Sequence, residues 1–106
     1  MSEIGAERFE IFNKTKTIGV ATVPGGAVNG VFLDAKVRNL SERELAREIL
    51  AVAAVASMRG RLALRDILEQ AAATAEESLP PELFEVLPTV PNADQFEEFR
   101  RDTLNY

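Results

Sequence analysis

Few residues of this chain have side chains suited to chemistry. No His and no Cys occur among the 106 residues, which removes the commonest general base, the commonest metal ligand and any thiolate site. Ser2, Ser41, Ser57 and Ser78 have no base to activate them, and the sole tyrosine is Tyr106. Glu76 and Glu77, like Glu97 and Glu98, are adjacent in sequence. On a helix such neighbours diverge by about 100° and do not converge on a metal or a substrate. The reading is a non-enzyme with no cofactor, no metal and no small-molecule substrate. One constellation remains. Arg43, Arg47, Arg61 and Arg65 fall near one angular position if this stretch is helical, a spacing that suits a phosphate-binding stripe. The same residues also read as a solvated helix edge, with Glu44, Glu48, Asp66 and Glu69 as i,i+3 and i,i+4 partners. No aromatic residue interleaves them, so no stacking platform for single strands is visible.

The elements that would carry these residues are legible in outline. Residues 1–7 form a patternless leader. Arg8–Asn13 reads as a short strand, Lys14–Lys16 as a turn, and Thr17–Val23 as a second strand with Ile18, Val20 and Thr22 on one face. Pro24-Gly25-Gly26 is a hairpin signal, because Pro presets the first turn residue and Gly supplies positive φ. Ala27–Leu33 is the return strand, with Asn29, Val31 and Leu33 sharing a face. Gly19 and Gly30 inside strands point to bulges or close backbone approach. Ser41 and Glu44 then form a capping box, and Leu40 and Leu45 have the spacing of a hydrophobic staple, so a helix starts at Glu42. Nothing stops it before Glu77–Pro81. Gly60 is its weak point, costing about 1 kcal/mol relative to Ala.

A helix of that length spans roughly 50 Å, too long for a small three-stranded sheet to cover. Its middle, Ile49–Met58, carries no charge and is apolar all round. A helix apolar all round must be buried on both sides. One side is for the sheet; the other calls for the same helix from a second copy, through Leu50, Ala54, Met58 and Leu62, in preference to a monomer capped by its own tail, although the tail could do part of the same job. The expected architecture is therefore α+β: a three-stranded antiparallel meander and one long helix over 8–78, forming an intertwined homodimer. Residues 79–106 make an acidic tail divided by Pro80, Pro81, Pro88 and Pro91. Asn92 and Gln95 cap a last helix, Ala93–Leu104, whose apolar side is Phe96, Phe99 and Leu104. That side docks either on the chain's own core or on a partner. From Glu76 to Tyr106 eight acidic residues stand against Arg100 and Arg101, so this end holds the whole acidic excess of a chain whose net charge is −5. No stretch is long and apolar enough for a membrane span, and Met1–Glu10 lacks the apolar region of a signal peptide, so a cytoplasmic location is expected.

From Phe9 to Leu68 the chain resembles the mycobacterial EspD/EspH group of ESX (type VII) secretion-associated proteins. The matching features are Phe9–Asn13 leading into Thr17–Val23, the Gly25-Gly26 hairpin, Val28–Leu33, Leu40-Ser41-Glu42 with Leu45, Ala46 and Glu48-Ile49-Leu50, and Ala53 to Leu68. More distantly, the order of three strands and a long helix resembles the YbaB/EbfC fold of nucleoid-associated proteins, in which two copies interlock. The first resemblance implies an accessory or chaperone-like protein that binds Esp-type secretion substrates. The second implies DNA binding as the alternative. The Tyr-x-x-x-Asp/Glu export signal of secreted ESX substrates is absent, so the resemblance implies a helper of secretion that need not be exported itself.

Overall fold

The computed structural model describes residues 7–74 and 91–106. Three strands, β1 (Phe9–Phe12), β2 (Ile18–Thr22) and β3 (Val28–Leu33), pair antiparallel in the order β1-β2-β3. A 3-10 turn (Ala35–Asn39) leads to α1 (Glu42–Thr74), and a second helix, α2 (Ala93–Leu104), lies near the C-terminus. The class is α+β, a three-stranded sheet followed by a long helix and a short one. The leader up to residue 6, the expected end of α1 beyond Thr74 and the proline-containing segment up to residue 90 lie outside the described residues.

Each element starts for a local reason. In the β2–β3 hairpin, Gly25 (φ 100°) and Gly26 (φ 95°) take the left-handed backbone that the turn after Pro24 requires, and Gly26 N donates to Val23 O at 2.9 Å. Asn13 organises the β1–β2 turn: its side-chain oxygen accepts from Thr17 N at 2.8 Å and Ile18 N at 3.1 Å. At the head of α1, Glu44 N donates to Ser41 Oγ at 3.1 Å. The Glu44 carboxylate reaches back to the Ser41 hydroxyl, not to the backbone N–H of the expected box, also at 3.1 Å. For α2 the box is complete, with Gln95 N donating to Asn92 Oδ1 and Asn92 N to Gln95 Oε1.

One face of the sheet packs on α1. Ile18, Val20 and Thr22 of β2 are buried against Val52, Val55 and Ala56 of the helix, and Phe96 and Leu104 of α2 join this core. Thr22, the one buried polar residue among those described, donates its hydroxyl to Ala56 O at 2.8 Å, tying sheet to helix without leaving an unpaired donor. On the other face of the sheet, Gly19 makes room for the Phe12 ring, which would lie 2.4 Å from a β-carbon there. Phe12 meets Phe32 edge to face, with ring centroids 6.1 Å apart.

Two sequence expectations change. Gly60 is no defect in α1: a β-carbon there would sit 2.4 Å from Val23 O and 2.8 Å from Gly26 Cα. The hairpin turn crosses the helix at this point, and Gly25 N donates to Gly60 O at 2.9 Å. Helix propensity is overruled by the need for close approach. Between Ala21 and Thr22 of β2 the pairing with β3 shifts register past Asn29, so that Thr22 stands opposite Val28. Val28 replaces Asn29 alongside Val31 and Leu33 on the α1 side.

Candidate functional site

The sheet is wider than the helix that covers it. Strands lie about 4.8 Å apart and a helix is about 10 Å across, so one helix roofs two strands and leaves the third bare. Here α1 lies over β1 and β2 and scarcely reaches β3. The cross-strand partners tell the difference. Ile18 and Val20 are buried, while Leu33 and Val31, directly opposite them on the same face, are exposed. Val31 is 56% exposed, and Val28 and Leu33 are also exposed.

The side of α1 turned away from the sheet is open as well. Leu50 is 70% exposed, and Ala46 and Ala54 are exposed on the same side. Of the four residues expected to pair with a second helix, Leu50 and Ala54 therefore face outward. Met58 and Leu62 are half-buried and packed against the chain's own core. Met58 lines a cleft with Pro91, Gln95, Glu98, Phe99 and Asp102, on the α2 flank. So α2 lies against part of the surface around Met58, as the tail was expected to be able to do. Phe96 is 5% exposed, Leu104 is buried, and Phe99 packs on the same cluster. Among the described residues the apolar side of α2 docks on its own body.

The arginines sit on the open side. Arg43 and Arg61 are 18 residues apart, five full helical turns at 3.6 residues per turn, and Leu50 and Ala54 lie within about 20° of the same direction. Arg65 is engaged along the helix, its Nε donating to Glu69 Oε1 at 3.0 Å. No carboxylate of the described residues forms an ion pair with Arg43, Arg47 or Arg61. The solvated-edge reading thus holds for Arg65 through Glu69, while Glu44 and Glu48 engage other groups: Ser41 for Glu44 and the Asn13 side chain for Glu48. Arg59, a residue the sequence did not single out, lies over the Phe9 ring at 4.2 Å, with its Nη1 buried and without a hydrogen-bond partner.

The residues considered for catalysis have structural work where they are described. Ser41 caps α1, and Ser57 Oγ donates to Gly26 O at 2.9 Å, fastening the hairpin turn to the helix. Glu97 pairs with Arg100 at 2.6 Å, and this hydrogen bond, with the nearby charges of Arg100 and Arg101, holds its carboxyl below the usual glutamate range. Ser2, Ser78, Glu76 and Glu77 lie outside the described residues. Among the described residues no group of three acidic, His or Cys side chains is placed to hold a metal ion, and no helix is long and apolar enough to cross a membrane.

Sequence reasoning missed the exposed face of β3. The signal was present: a helix one strand too narrow for a three-stranded sheet leaves the outer strand's apolar residues open, whatever the helix length. What the arrangement offers is an open apolar face on β3 and, separately, Leu50 and Ala54 among arginines on the side of α1 turned away from the sheet. No protein-family model matches the chain, and no curated protein matches it either.

Proposed function

We propose that this chain is a non-enzymatic, chaperone-like accessory protein of an ESX (type VII) secretion system, which binds and stabilises Esp-type secretion substrates as a homodimer in the cytoplasm. The observation that carries a binding role is the exposed apolar face of β3, with Val28, Val31 and Leu33. Contiguous apolar surface of this kind marks interaction sites. The secretion assignment rests on the resemblance over Phe9–Leu68. Affinity purification from the native host tests it: Esp-type proteins co-purify, and their levels fall when the chain is deleted. Recovery of no secretion protein, with those levels unchanged, refutes the assignment.

A second reading, nucleoid association of the YbaB type, is favoured by the unpaired Arg43, Arg47 and Arg61 on one side of α1. Binding through phosphates must weaken steeply with salt as counterions are released. Gel shifts on duplex DNA between low and physiological salt decide it; no complex at the lowest salt removes this reading.

A further inference from the structure

We infer that the free edge of β3 is the seat of a second copy of this chain: two β3 strands pair antiparallel about a two-fold axis at Val31 and join their sheets into one. This rests on the homodimer proposed above and places its interface on the sheet rather than on α1. The two edges of the sheet differ. In the order β1-β2-β3, the β1 edge is closed by the Tyr106 hydroxyl, which donates to Phe12 O. The β3 edge has no such cover among the described residues. Val28–Leu33 carries neither charge nor proline, the features that keep a free edge from pairing. The register shift beside Thr22 lies at the hairpin end and leaves Gly30–Leu33 in regular pairing. Val31 and Leu33 are exposed on the α1 side of the strand and Phe32 on the other. A partner laid on one face covers only one set of these; a strand added at the edge flanks both.

The backbone of β3 is turned the right way. Asp34 N donates to Thr17 O at 2.8 Å, so Thr17 and Asp34 are a hydrogen-bonded pair. Bonded and unbonded pairs alternate along an antiparallel ladder, here Ile18–Leu33, Gly19–Phe32 and Val20–Val31. Gly19–Phe32 is therefore bonded, while Val31 and Leu33 direct their N–H and C=O groups off the sheet. Two copies meeting at Val31 exchange hydrogen bonds there, the Val31 N–H of each donating to the Val31 carbonyl of the other.

The same register fits the side chains. It sets Phe32 of each copy opposite Gly30 of the other, on the face away from α1. The chain already contains such a pair: Phe12 stands opposite Gly19, and its ring occupies the space that a β-carbon there would need. The two pairs are of one kind. Asn13 N donates to Ile18 O, and the alternation from that bond makes Phe12–Gly19 an unbonded, closer pair, as Phe32–Gly30 would be. The Arg8 guanidinium, with Nη2 3.0 Å from the place of a Gly30 β-carbon, would meet the incoming ring as Arg59 meets Phe9. On the α1 side Val31 faces Val31, and no charge of the strand opposes its like. The helix is no obstacle, since it scarcely reaches β3. Pairing through the outer side of α1 has less to offer: one exposed large apolar side chain, Leu50, against Val28, Val31, Phe32 and Leu33 in β3.

Charge complementation at the axis tests the proposal on the full-length chain. Val31→Lys and Val31→Glu each set like charges opposite one another across the two-fold, at a site exposed in the single chain. Sedimentation equilibrium is expected to show the wild-type chain as a dimer and a dissociation constant about tenfold or more higher for each variant alone. An equimolar mixture of the two variants regains the dimer. Unchanged circular dichroism shows that the variants are folded. A measurement on the wild type needs no variant: in a dimer mixed from isotope-labelled and unlabelled chains, an intermolecular NOE joins the Phe32 ring of one copy to Gly30 of the other. Four outcomes overturn the proposal: a wild-type chain that stays monomeric, variants that dimerise as the wild type does, a mixture that regains nothing, or intermolecular NOEs at Leu50 and Ala54 in place of Gly30 and Phe32. The last leaves the homodimer standing with its interface on α1, whereas the first removes homodimer and interface together. None of these readouts depends on recovering a secretion protein from the host, so failure here and failure of the secretion assignment are separate results.

Discussion

The two flanks of α1 make different use of the same sheet. On the β1 side, α2 lies along the long helix, Arg59 stacks on Phe9, and Tyr106 reaches the backbone of β1. On the β3 side a strand of equally apolar composition, Val28 to Leu33, stays exposed along its length. The contrast separates two reasons for an apolar residue in a small domain. Residues on the first flank close the core, and their removal should be felt in stability. Those on the second leave the core untouched, and their removal should be felt only when something binds.

The largest expected effect comes from stripping the closed flank. Phe96→Ala empties a buried aromatic site and should cost about 3 kcal/mol, read as a drop in the denaturation midpoint with α2 amides losing hydrogen-exchange protection. A smaller loss would mean that α2 is only loosely seated and that the two flanks differ less than their burial implies. Gly60→Ala comes next. Its methyl must displace the Val23 carbonyl and the Gly26 backbone, so we expect destabilisation by about 2 kcal/mol despite the gain in helix propensity. A stabilised variant would show that the hairpin does not press on α1. Leu50→Ser, on the exposed outer side of α1, should move stability by no more than about 0.5 kcal/mol while weakening partner capture. A loss like that of Phe96→Ala would erase the distinction. Smallest is the Glu97–Arg100 pair. Because the carboxyl titrates below its unfolded value, any stabilisation is present above that unfolded value and disappears as pH falls through the lowered one. On a surface pair it should be seen only by NMR titration, with Arg100→Ala returning Glu97 toward the ordinary range.

Much of the architecture was readable because its signals are local. The Asn92–Gln95 and Ser41–Glu44 pairs announce both helices, since capping is a hydrogen bond between near neighbours. The alternation of Ile18, Val20 and Thr22 announces the core face of β2. Gly60 was misread as a weak point because propensity describes an isolated helix and takes no account of the hairpin crossing it. Asn29 was placed on the wrong face because one irregularity inverts a period-two pattern beyond it. Helical periodicity names the apolar directions of Met58 and Leu62 without saying which neighbour fills each, and in the structure both pack partly on the chain's own core.

Strand order, helix starts and the turn at Pro24-Gly25-Gly26 thus follow from residue types a few positions apart, where backbone geometry and short-range hydrogen bonds leave little choice. Which apolar side of α1 is closed and which stays open does not follow from them. It depends on the width of a helix against three strands and on where α2 comes to rest. Those are matters of packing between segments distant in the chain, and no local pattern encodes them.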